Sequence, residues 1–233
     1  MTTTVHILSG GAAAGLVATL EPRYVADTGC LLAGRYSAVG VMRDELLAGA
    51  TCDVLILTQA LITELEASGH VLPGSARGLG RVRTGVAVCD TDADVSIADA
   101  AALRQTLLEA DGIHFPDPQK ATAGIHFMKV LRALGVDAVC ADRLHTYPNG
   151  ATAMRAMAAS GRAGALGCTQ ITEILYTPGV RLVGPLPAEF ELATTYVAAV
   201  AARSESPNAA AALVDLLSAP PQAAVRAAAG FEA

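Results

Sequence analysis

The run Cys52-Asp53-Val54-Leu55-Ile56-Leu57 is almost continuously apolar. A strand with one face in water alternates apolar and polar residues, so a short unbroken run of this kind predicts a strand covered on both faces. Helical patterns lie on either side of it, at residues 39–48 and 60–68, and a strand at residues 5–8 is followed by a helix running through Leu20 and Tyr24. The order is β-α-β. Such an order builds a mostly parallel sheet with helices on its faces.

The pattern continues with a strand at 82–89, a helix at 99–109, a strand at 112–115, a turn at Pro116-Asp117-Pro118 and a helix at 124–134. Short strands near Val139 and at 165–167 flank a helix at 151–159. Residues 180–187 break the alternation. Two Ala-rich helices then close the chain, because alanine is the best intrinsic helix former and Leu213, Leu216 and Leu217 supply an apolar stripe. A chain of 233 residues holds one large core or two small ones. Two α/β lobes are expected, one from residues 1–82 with 185–233 and the other from residues 83–184.

Hydrophobic residues make up 52% and charged residues 16%, which excludes general disorder. With no tryptophan, 4% aromatic residues and a net charge of -6, neither base stacking nor attraction to a nucleic acid is expected. No apolar stretch is long enough for a membrane span. The five cysteines lack metal-site spacing and read as reduced core thiols. The opening Met1-Thr2-Thr3-Thr4-Val5 has no basic region before its short strand, so the chain reads as cytoplasmic, or as periplasmic if a leader has been removed. A Walker lysine, a Gly-x-Ser-x-Gly elbow and a three-ligand metal cluster are all missing, and no cofactor or metal is expected.

Ser9-Gly10-Gly11 ends the first strand and opens a helix. Unpaired backbone N–H groups gather at such a point, with the Ser9 hydroxyl beside them, and an anion fits there. An ordinary strand-to-helix turn has the same composition. Further stretches join this one: Tyr36-Ser37-Ala38-Val39-Gly40, the 50–57 strand, Phe115-Pro116-Asp117-Pro118 with Ala123-Gly124-Ile125-His126, Asn149-Gly150, and Gly164-Ala165-Leu166-Gly167-Cys168-Thr169-Gln170. Together, over residues 4–190, they resemble the periplasmic molybdate-binding proteins and the wider type 2 solute-binding superfamily.

That resemblance implies an α/β fold: a two-lobed type 2 periplasmic-binding-protein-like clamshell with mostly parallel sheets covered by helices. It also implies that hydroxyls and helix-start N–H groups hold an anion, here Ser9, Gly11, Ser37 and the Ala123-Gly124 turn. Gln170 stands near a position that is often tyrosine in the family. The superfamily includes an enzyme branch that resembles aconitate isomerase, in which an allylic proton moves without a cofactor.

Several side chains are candidates beside their structural alternatives. His126, on the first turn of a helix, would act as cation or base, or simply hydrogen-bond on the surface. Tyr147 would donate a phenolic proton or pack at the rim, and Gln170 would donate without adding charge. With His126 these form the catalytic set. Ser9, Gly10, Gly11, Ser37, Thr58, Asp117, Lys120, Thr122, Gly124, Asn149 and Gly150 form the binding set, although Ser9, Ser37, Thr58 and Asn149 serve equally as helix caps and Lys120 as a solvated lysine. Asp117, between two prolines, is suited to orienting a histidine or holding a helix N–H.

The expected function is a cofactor-independent isomerase moving an allylic proton on a small unsaturated di- or tricarboxylate such as aconitate. The alternative is a non-catalytic binding protein for molybdate-like oxyanions or small carboxylates, serving ABC-transporter components. Under either reading the partner is a small anionic organic molecule or an oxyanion.

Overall fold

A computed structural model describes residues 3–233. Met1 and Thr2, the first residues of the start that reads as leaderless, lie outside them. The chain forms two compact units, Met1–Val82 with Thr194–Ala233, and Arg83–Ala193.

Along the chain the elements are β1 (Thr4–Gly10), α1 (Ala14–Thr28), β2 (Leu31–Ser37), α2 (Val39–Leu47), β3 (Val54–Thr58), α3 (Gln59–Ala67) and β4 (Arg77–Cys89). Then follow α4 (Ala100–Glu109), β5 (Gly112–Pro116), α5 (Thr122–Ala133), β6 (Leu144–Tyr147), α6 (Gly150–Ala159), β7 (Ala165–Gln170) and α7 (Ile171–Tyr176). The last are β8 (Val180–Pro185), β9 (Ala193–Val200), α8 (Pro207–Ser218) and α9 (Ala223–Ala228).

In the first unit β1 lies between β2 and β3, parallel to both, and β9 runs antiparallel to β3. The apolar run of β3 is buried on both faces, as its composition requires. On one side Leu16, Val17, Leu20 and Tyr24 of α1 pack with Leu213, Val214 and Leu217 of α8. Tyr24 Oη donates to Ala209 O at 2.9 Å, which joins the two helices by a polar contact inside an apolar seam. Glycine follows α1 at Gly29 with φ 70°, the left-handed turn that ends a helix cheaply only in glycine.

In the second unit β5 lies parallel between β6 and β7, while β4 pairs antiparallel with β7 and β8. Ile113 and Phe115 of β5 face Phe127, Val130 and Leu131 of α5 in one core, and Met154 and Met157 of α6 fill another. The sheets are therefore mixed, with a parallel set of three strands in each unit. The antiparallel pairings are those of β9 with β3 and of β4 with β7 and β8.

Three strands lie where the sequence does not signal them: β2, β9 and β8, the last in the stretch that reads only as a break in the alternation. Val139 is not in a strand but in a turn, 62% exposed, and the strand of that region starts later, at Leu144. All five thiols are free. Cys52, Cys89, Cys140 and Cys168 are buried and Cys30 is partly exposed. Among the described residues no helix is long and apolar enough to cross a membrane.

Candidate functional site

Parallel strands bring their C-terminal ends to one edge, where the following helices start. In the first unit that edge collects Ser9 and Gly10 from β1 with Gly11 just after them, Ser37 from β2 and Thr58 from β3, with Gly10 directly opposite Ser37. Thr58 caps α3, accepting from Leu61 N at 3.4 Å. α2 starts after Ala38 without a side-chain cap. Ser9 is fully buried and its Oγ donates to Gly10 O at 2.8 Å, so this hydroxyl is already engaged in the unit. A Cβ on Gly10 would press on Val39 and Tyr196, which keeps the turn tight.

In the second unit the ends of β5, β6 and β7 place Pro116, Tyr147 and Gln170 along one edge. Asp117 organises the loop after β5: its Oδ1 accepts from Gln119 N at 2.7 Å and Lys120 N at 3.2 Å, and its own N–H donates to Tyr147 O at 2.7 Å. Lys120 is exposed on that turn. Thr122 opens α5, whose N-terminus has no side-chain cap, leaving N–H groups available. Gly124 is needed because a Cβ would collide with the carbonyl oxygens of Pro116 and Asp117. Asn149 caps α6 by accepting from Thr152 N at 2.9 Å.

Gln170 is the exceptional residue of this edge. It is 3% exposed, yet neither Nε2 nor Oε1 has a hydrogen-bond partner. Thr84, its partner across the β4–β7 ladder, and Thr172, two residues on, also carry buried hydroxyls without partners. Unmet buried polar atoms of this kind cost stability unless another polar group meets them.

Glu173 lies beside them. Burial pushes its carboxyl up from the ordinary range, opposed by the Thr169 hydroxyl and the backbone N–H groups of Ala151, Gln170 and Gly150. The N–H of Gly150 is therefore directed at the carboxyl group of Glu173 in the same unit.

Tyr147 Oη lies 3.1 Å from His114 Nδ1, with the rings stacked at 5.7 Å. His145, opposite His114 on the neighbouring strand, stands 4.9 Å away ring to ring. Burial, then the charges of His145 and Arg162, lower His114 to about 4, so it is neutral at physiological pH. His126 is half-buried on α5 and its Nε2 lies 2.7 Å from Phe190 O.

Thr84, His114, Thr169, Thr172 and Glu173 stand outside the site residues that the sequence singles out. Glu173 carries a sequence signal, three residues after Gln170 at a helix start, whereas the places of Thr84, His114 and Thr169 depend on strand register.

Residues 5–232 match the family of bacterial extracellular solute-binding proteins. An aconitate isomerase from Pseudomonas sp is 28% identical over 223 residues, 92% of this chain and 82% of that protein. Among solved structures, the periplasmic molybdate-binding protein of Azotobacter vinelandii superposes with a TM-score of 0.79 at 19% identity, covering 98% of this chain and 99% of that one. The sulfate-binding protein SubI from Mycobacterium tuberculosis H37Rv gives a TM-score of 0.73 at 16% identity, covering 98% and 86%. These matches correct the expectation of a cytoplasmic chain, since the matching family is extracellular and the molybdate-binding structure is periplasmic. A weak start signal was too little to set against a family that spans nearly the whole sequence.

Proposed function

For a chain that belongs to the bacterial extracellular solute-binding proteins, we propose the role of a binding protein for a small anion, an oxyanion or a small carboxylate. The observation that carries this reading is the buried, partnerless amide of Gln170 at the end of β7, in the unit that also holds the uncapped start of α5. A helix start offers N–H groups and partial positive charge, and an amide adds a neutral donor. Ser37, Thr58 and the Gly10-Gly11 turn supply matching groups in the first unit.

The 28% identity to an aconitate isomerase favours a second reading, proton transfer on an unsaturated carboxylate. In it the base takes an allylic C–H proton and the same proton, or one from solvent, returns at the other end of the allylic system. His126 Nδ1 and the Tyr147 hydroxyl are the proton-transfer groups of this unit, and the Gln170 amide stabilises the enolate-like oxygen.

One pair of measurements decides between them. Calorimetric titration with molybdate, sulfate and the two aconitates tests binding, and proton NMR of the aconitates in D2O tests exchange. Binding without exchange supports the receptor, exchange or interconversion supports the enzyme, and silence with every compound overturns both.

A further inference from the structure

A cavity of about 660 Å³ lies within the second unit, a volume ordinary for a small-molecule site. Val88 and Leu166, register partners across the β4–β7 ladder, line it together with α4 and the segment 91–96. Leu166 stands near the start of β7 and Gln170 at its end, roughly 13 Å apart along an extended strand. The cavity is therefore separate from the strand-end edge described above.

Its inside is apolar, because Val88, Ala110 and Leu166 belong to the buried core of the unit and Val95 packs against that core. Its charged lining is of one sign. Asp92, Asp94 and Glu109 contribute to it, and among the described residues no lysine, arginine or histidine does. Arg181, just outside, is committed: its Nη2 pairs with Asp94 Oδ1 at 2.8 Å and donates to Asp92 O at 2.9 Å. Asp92 Oδ2 accepts from Gly164 N at 3.1 Å and Glu109 Oε1 from Gln105 Nε2 at 2.5 Å. Both donors are neutral, so three carboxylates face one guanidinium and the mouth stays negative.

We propose that this cavity binds a small organic cation, an ammonium group carried on an apolar body. The body covers Val88, Val95 and Leu166, and the ammonium meets Asp92 and Glu109. An uncharged analogue gains the apolar contact alone, and a carboxylate on the same body is repelled. The inference is independent of the anion-binding reading, whose groups lie at the other end of the sheet.

Octylamine, octan-1-ol and octanoate share one apolar chain and differ in the charge of the head, and titration calorimetry near neutral pH compares them. The wild type is expected to bind octylamine most tightly and octanoate least. The double variant Asp92→Asn with Glu109→Gln keeps the acceptors for Gly164 N and Gln105 Nε2 while removing both charges. It should weaken octylamine by roughly tenfold and leave octan-1-ol within about twofold. Ala102→Phe, which puts a ring into the cavity from α4, should remove the binding of both. Circular dichroism checks each fold, and Ala102→Leu replaces the larger substitution with the same expected direction if that variant does not fold. The proposal is overturned if octylamine fails to bind the wild type, or binds no more tightly than octan-1-ol or octanoate. An octylamine affinity unchanged in the double variant, or undiminished when the cavity is filled, overturns it equally.

Discussion

His126 Nε2 lies 2.7 Å from the carbonyl oxygen of Phe190. A carbonyl only accepts, so Nε2–H donates and Nδ1 of the neutral ring is the atom left to take a proton. Nitrogen NMR near neutral pH should report the Nε2–H tautomer. Replacing His126 by alanine should cost about 1 kcal/mol in a denaturant melt, the ordinary net value of such a bond. A ring that exchanges freely between tautomers would show that the contact does not form in solution.

Gln170→Leu separates stability from binding. It removes two buried atoms that have no partner, so the unliganded protein should be as stable as the wild type or up to about 1 kcal/mol more stable. Affinity for the ligand should fall by roughly tenfold or more. A clear drop in melting temperature without ligand would mean that the amide has structural work.

His114 gives the protein a measurable acid dependence. The folded chain holds its imidazole at about 4, below the ordinary 6.5, so the unfolded chain binds the proton more readily. The contribution is complete above the unfolded value and is lost as pH falls from about 6.5 through about 4, roughly 3 kcal/mol in all. His114→Gln should flatten the stability profile over that window relative to wild type. Parallel profiles would refute the assignment.

Asp53 acts in the opposite half of the chain. Burial works to raise its pKa, but the His6 N–H at 2.8 Å, the Ser204 hydroxyl at 2.6 Å and the Ser206 N–H at 3.3 Å prevail, and the net shift is downward. A lowered carboxyl stabilises above its unfolded value and loses that contribution as pH falls through the folded one. Asp53→Asn should therefore cost about 1–3 kcal/mol near neutral pH, and the gap should close in strong acid. Urea melts at the two extremes measure it.

The parallel sets were legible because β1 and β3 are short apolar runs followed at once by helical patterns. β2, Leu-Leu-Ala-Gly-Arg-Tyr-Ser, was not, since it is partly exposed along its length and contains glycine and arginine. β9 reads Ala-Thr-Thr-Tyr-Val-Ala-Ala-Val, as compatible with a helix as with a strand; its pairing with β3 decides the matter. Val139 misled in the other direction, as an apolar residue that the fold leaves in a solvent-facing turn.

At the candidate site, strand ends that run into helix starts drew attention to Ser9, Ser37, Thr58 and Gln170 as positions. Whether a group there is free or engaged is a tertiary property. Gly150 and Glu173 are far apart in the chain, and only the packing of α6 against α7 shows that one supplies donors to the other's carboxylate. Gln170 likewise stands opposite Thr84, whose hydroxyl also lacks a partner, across a ladder that no local pattern announces.

The unpaired thiols have a practical consequence. Four are sealed in cores and only Cys30 meets solvent, so a maleimide dye added to the native protein has one accessible point of attachment, in the turn after α1. The chain thus arrives with a single-site handle for fluorescence, and no cysteine has to be engineered in or out before it can be used.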